Sequence, residues 1–206
     1  MLTATYTLVA LSVEQASVRM SLQSLQKVLY NNFVQQRALT PGQVDYACDA
    51  LRRLYDACHW RKIEKFLIPA IHHATHDADQ LLADLDQLNS AAADAMGEIA
   101  ERFAGLSIDS ADRVSEFCSS VDTFCNSLLQ RLAREEQELF PVARSVISGE
   151  AWFSIANKML AHEAYVQETK PARPGPGPAV PPARGSLAGQ RAKPAGQRTR
   201  RATLTH

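Results

Sequence analysis

Apolar residues recur at alternating steps of three and four along most of the first 169 residues. The first series, Leu8, Leu11, Val18, Leu22, Leu25 and Leu29, is the seam of a helix packed against other helices. The segment RALTPGQ interrupts it, with Thr40 placed to cap the next helix and Pro41 at that helix's first position. A second series, Ala47, Leu51, Leu54, Ala57, Leu67 and Ile71, predicts a helix that Pro69 ends or kinks. The third helix begins within HHATHDAD, where Thr75 can cap and the early aspartates suit the helix dipole. Its inward set is Ala78, Leu81, Leu85, Leu88, Ala92, Met96, Ile99 and Phe103. After the turn AGLSIDS, the fourth series is Cys118, Val121, Cys125, Leu128, Leu132, Leu139 and Val142. A short extra helix is expected around residues 150–165, across one end. No alternating strand pattern competes. Four long amphipathic helices with short connections predict an all-α, antiparallel up-down-up-down four-helix bundle over residues 1–168.

The seams are broken by polar residues at particular steps. Gln15 lies on the apolar face of the first helix, Trp60 and Glu64 fall on that of the second, and Glu135 on that of the fourth, with Arg131 one turn earlier on its flank. A carboxylate taken out of water is costly unless it meets a cation, a metal or hydrogen-bond donors. Counting residues from the connecting turns puts Gln15, Glu64, Glu135 and the His/Asp-rich start of the third helix at one height. A polar layer across the bundle is therefore expected.

Three stretches carry a family resemblance. SVEQASVRMSLQSLQKVL is similar to the first-helix motif of the hemerythrin-like (HHE cation-binding) family, HWRKIEKFLIP to its second-helix stretch, and RLAREEQELFPVARSVISGEAWFSI to its last-helix signature. The resemblance spans roughly residues 8–157 and is most specific in the last stretch. It implies a non-haem di-iron centre inside a four-helix bundle, held by histidines and carboxylates. Residues four apart project from one helical face, so both can reach one ion.

The chain departs from that pattern where the resemblance would put histidines: Gln15, Trp60 and Arg131 stand there, with Glu64 and Glu135 retained. Arginine has no acceptor with which to ligate a metal, and its charge opposes one. The favoured reading has Arg131 swung into the vacated centre to pair with the carboxylates, with Trp60 filling the remaining volume. The competing reading keeps a remodelled mononuclear site from Glu64, Glu135, His76 and, one turn earlier, His59. His72 and His76 have the four-residue spacing that can clamp a metal; HHATH as a solvated helix junction is the plainer alternative. Cofactors follow: none in the favoured reading, non-haem iron (di-iron or mononuclear) in the other.

Charge and composition divide the chain. Of 22 Lys+Arg and 22 Asp+Glu, eight basic and no acidic residues fall in 170–206, leaving an acidic first part. Residues 169–206 also hold seven of ten prolines and five of nine glycines, a composition that predicts a disordered tail. A solvated tail is favoured over a nucleic-acid contact through Arg198, Arg200 and Arg201. No apolar run reaches the roughly 18 residues of a membrane span. MLTATYTLVALSVEQ shows neither the basic region nor the cleavage site of a secretory signal. A cytoplasmic location is expected, with the four cysteines reduced and packed. No phosphate loop, nucleophile elbow or Cys/His dyad is present to suggest an enzyme. The functions left in play are a regulatory or binding bundle with a degenerate di-iron pocket, an iron-binding bundle that binds or senses dioxygen or iron, and a structural oligomerising bundle. A protein partner or a homo-oligomer is expected.

Overall fold

A computed structural model describes residues 2–59 and 61–169. The expected tail and Trp60 lie outside the described residues. Most of the rest is helical: α1 (Leu2–Asn32), α2 (Pro41–His59), α3 (Ile68–Ala74), α4 (Asp79–Phe103), α5 (Ala111–Arg134), α6 (Phe140–Val146) and α7 (Gly149–Thr169). No strand occurs among the described residues; one isolated antiparallel bridge, Leu39 with Ile108, ties two connections together. No described helix is long and apolar enough to cross a membrane.

Local chemistry sets the boundaries. Thr40 and Gln43 form a reciprocal cap at the start of α2: Thr40 N–H donates to Gln43 Oε1 at 2.9 Å, and Gln43 N–H to Thr40 Oγ1 at 3.4 Å. Ser110 accepts the Arg113 N–H at the start of α5. Thr75 does not cap α4 as expected. It ends α3 with extended backbone and accepts the Asp77 N–H, while Ala78 precedes α4.

Two single π-turns interrupt the expected second and fourth helices, at Ile63–Leu67 and Glu135–Leu139. Ile68 N–H reaches back five residues to Ile63 O, and Phe140 N–H to Glu135 O. In both places the next residue is a proline, whose ring would press on the carbonyl four residues back in a regular helix. The widened turn relieves that clash, and such turns are frequent at functional sites. Pro69 and Pro141 then sit in the first turns of α3 and α6.

The apolar interior is divided into two clusters. One holds Val18, Leu22, Leu25, Cys58, Ala92, Leu128 and Leu132; the other holds Leu11, Ile63, Leu67, Leu85, Leu139 and Trp152. On every long helix the boundary falls in the same stretch: between Leu11 and Val18, between Cys58 and Ile63, between Leu85 and Ala92, and between Leu132 and Leu139. The level on α4 is therefore that of the half-buried Leu88 and Asn89, two to three turns beyond the His/Asp-rich start that residue counting pointed to. Helix α7 is longer than the expected short helix and packs against α1 and the first π-turn, burying Trp152, Ile155 and Met159.

Candidate functional site

The gap between the two apolar clusters is filled by an ion-pair layer. Glu135, wholly buried at the start of the second π-turn, is its centre. Its Oε2 accepts from Arg61 Nη1 at 2.5 Å and Gln15 Nε2 at 2.6 Å; its Oε1 accepts from Arg61 Nη2 at 2.7 Å and Arg131 Nε at 2.9 Å. Glu64, in the first π-turn, accepts at Oε1 from Arg131 Nη2 and, at 3.4 Å, from Arg61 Nη2. Gln15, Arg61 and Arg131 are buried; the Glu64 side chain keeps 23% exposure. Two guanidiniums and two carboxylates make the layer neutral, the condition under which such groups are tolerated away from water.

Arg61 is the residue that sequence reading missed. In an unbroken helix through HWRKIE it would sit about 100° from the inward position and point to the flank. Helix α2 instead ends at His59, and Arg61 is not helical. That break turns the guanidinium inward, and Arg61 Nε donates to Cys58 O at 3.0 Å. The N–H exposed by the restart at Lys62 is met by Glu14 of α1 at 3.1 Å. The signal in the sequence is charge balance: two inward carboxylates call for two cations, and Arg131 supplies one.

Burial tends to raise the Glu135 pKa, but the hydrogen bonds and charge of Arg61 and Arg131 outweigh it and hold the carboxyl below its ordinary value. Glu64 goes the other way. Its loss of water raises its pKa, and Arg131 and Arg61 offset only part of that. Arg61 is destabilised as a cation by burial, yet Glu135 more than compensates and its pKa is raised.

His72 and His76 do not join this layer. His72 and His76 are exposed and both face Asp79, His72 Nδ1 at 3.5 Å from Oδ1 and His76 Nδ1 at 3.2 Å from Oδ2. His59 ends α2, exposed and stacked on Tyr55 at 6.4 Å between ring centroids. The expected gathering of His76 and His59 with Glu64 and Glu135 is therefore corrected: among the described residues, no three His, Cys, Asp or Glu side chains come together as a metal would require. The physical reason is register, because the start of α4 lies well below the level of Glu135.

The donor set can be compared with a di-iron centre directly. All four hydrogen-bonding positions of Glu135 are taken by N–H donors, three of them from guanidiniums. Gln15 Oε1 is the one buried acceptor of the layer without a partner among the described residues. A single amide oxygen beside two fixed positive charges does not hold a divalent ion. The residues present do not fit the metal centre of the family that the sequence resembles.

Residues 22–143 match the Hemerythrin family, described as Hemerythrin HHE cation binding domain. The match covers more than half of the chain and includes Arg61, Glu64, Arg131 and Glu135, so the chain belongs to the hemerythrin HHE cation-binding family. No curated protein and no solved structure matches it.

Proposed function

We propose that this domain is an up-down-up-down four-helix bundle of the hemerythrin type whose metal layer has been replaced by an ion-pair layer. It acts as a regulatory or binding module that performs no catalysis. The observation that carries this reading is Glu135 held simultaneously by Arg61 and Arg131, with Arg131 also on Glu64. The carboxylates that would bridge or ligate iron are neutralised within the chain. The carboxylates and prolines of the family-like stretches, Glu64, Pro69, Glu135 and Pro141, are kept while the imidazole positions are replaced, which separates scaffold from chemistry.

The family's cation-binding description supports a second reading, in which iron enters and displaces the guanidiniums. One experiment separates the two. The purified chain is loaded anaerobically with ferrous iron, freed of excess, exposed to air, and examined by metal analysis and near-ultraviolet absorption. The proposal expects iron far below one atom per chain and no oxo-bridge charge-transfer band. Two irons per chain with that band would overturn it.

A further inference from the structure

Helix α1 carries two apolar stripes, and among the described residues only one is buried. The inward stripe includes Leu11, Val18, Leu22 and Leu25. The other consists of Leu2, Tyr6, Val9, Val13, Ala16 and Met20, in steps of four, three, four, three and four, and all six are exposed. Leu2 is 89% exposed, Tyr6 78% and Val13 67%. A helix that is apolar on both sides is ordinarily covered on both sides.

We infer that this outer stripe is the interface through which two copies of the chain associate, α1 against α1. The step pattern is that of a coiled-coil seam, a narrow line that fits another helix of the same spacing. The stripe itself presents no charge to oppose a second copy. Residues 2–13 contain no charged residue. The first two charged side chains of α1 are engaged at the ion-pair layer's edge, Glu14 with the Lys62 N–H and Arg19 with Glu136 at 3.0 Å. The first 169 residues are strongly acidic overall, so two copies repel one another except along an uncharged face. The same features disfavour a lipid surface, because interfacial helices carry Lys and Arg beside their apolar face. Leu2, Tyr6, Val9, Val13 and Met20 are each at least 57% exposed, so with their flanking residues they offer a large share of the roughly 800 Å² per partner of a standard interface.

The test is sedimentation equilibrium of the full chain at micromolar concentration, with Val9→Glu and Val13→Glu as disrupting variants and, at an exposed position of α4, Ser90→Glu as control. The expected result is a wild-type dimer, a loss of affinity of at least tenfold in each stripe variant, and no change in the control. Both stripe positions are exposed, and helical circular dichroism checks that the variants stay folded. A monomeric wild type, a dimer untouched by the stripe variants, or equal loss in Ser90→Glu would overturn the inference. So would a monomer that co-sediments with phosphatidylcholine vesicles through the same residues.

Discussion

Arg61 and Glu135, 74 positions apart in the chain, meet in a two-pronged pair, Nη1 on Oε2 at 2.5 Å and Nη2 on Oε1 at 2.7 Å. Arg131 and Gln15 supply two further donors to the same carboxylate. Such a pair does not stabilise by its mere presence, since removing charges from water costs about what their attraction returns. Its consequence is specificity of partners: each member becomes expensive to remove alone.

Substitution of either arginine measures that dependence. Arg61→Ala or Arg131→Ala leaves a buried carboxylate with an unbalanced charge, and each is expected to lower unfolding free energy by about 3–5 kcal/mol. Urea unfolding of the purified variants is the measurement. The double variant should cost less than the sum, because both arginines share Glu135. Additive effects would mean the two cations act independently.

Replacing the layer as a whole should behave differently. With Arg61, Arg131 and Glu135 changed together to Met or Leu and Glu64 to Gln, no charge is left unpaired and the two apolar clusters become continuous. The expected stability is within about 2 kcal/mol of wild type, or higher. A loss as large as that of a single arginine variant would show that packing around the layer, and not charge pairing, dominates.

The sequence made the helices legible because each long seam repeats over several turns, and it located Gln15, Glu64 and Glu135 because each interrupts a seam. It did not reveal Arg61, since a local departure from helix at that residue changes the direction of a side chain without altering the apolar period. The π-turns were hidden for the same reason, although Pro69 and Pro141 marked where each would end. The height of α4 was misjudged because counting from turn centres treats each connection as symmetric. Here α3 and the Thr75–Ala78 connection delay the start of α4, so the polar level falls at Leu88 and Asn89.

The two carboxyls should leave opposite marks on stability against pH. Glu135 titrates below its ordinary value near 4.5 when folded, so its contribution is complete above that value and is lost as pH falls through the lowered one. Glu64 titrates above 4.5 when folded, so it favours the folded state at low pH and erodes stability as pH rises through its raised value. Urea midpoints from about pH 3 to pH 7 should therefore show a shallower acid limb in Glu135→Gln. Glu64→Gln should remove an opposing slope at higher pH. Parallel profiles in all three proteins would refute these assignments.

The cysteines should be inert in the folded state. All four are buried, with burial pushing Cys58 up to about 11 and Cys125 up to about 12. At pH 8 a thiol of pKa 11 is ionised in roughly one molecule in a thousand, and the thiolate is the reacting form. A disulfide-exchange reagent should modify no thiol on mixing with native protein and four after denaturation. Rapid native labelling of Cys58 would indicate that the break after α2 opens readily.

Restoring imidazoles at the substituted positions tests whether Arg61 or the lost histidines exclude a metal. By the sequence alone, Gln15→His, Trp60→His and Arg131→His together raise iron affinity if the layer geometry is right. The structure implies otherwise, because Arg61 would still hold Glu135 at both oxygens with its charge inside the layer. The triple variant is therefore expected to bind iron no better than wild type. Adding Arg61→Leu frees the Glu135 carboxylate and leaves Glu64 and Glu135 without cations, so the quadruple variant should take up iron and gain thermal stability on doing so. Metal analysis after ferrous loading, with melting temperature as the second readout, compares the two variants. Equal iron uptake in both would show that Arg61 yields to a metal and is not what keeps the centre closed.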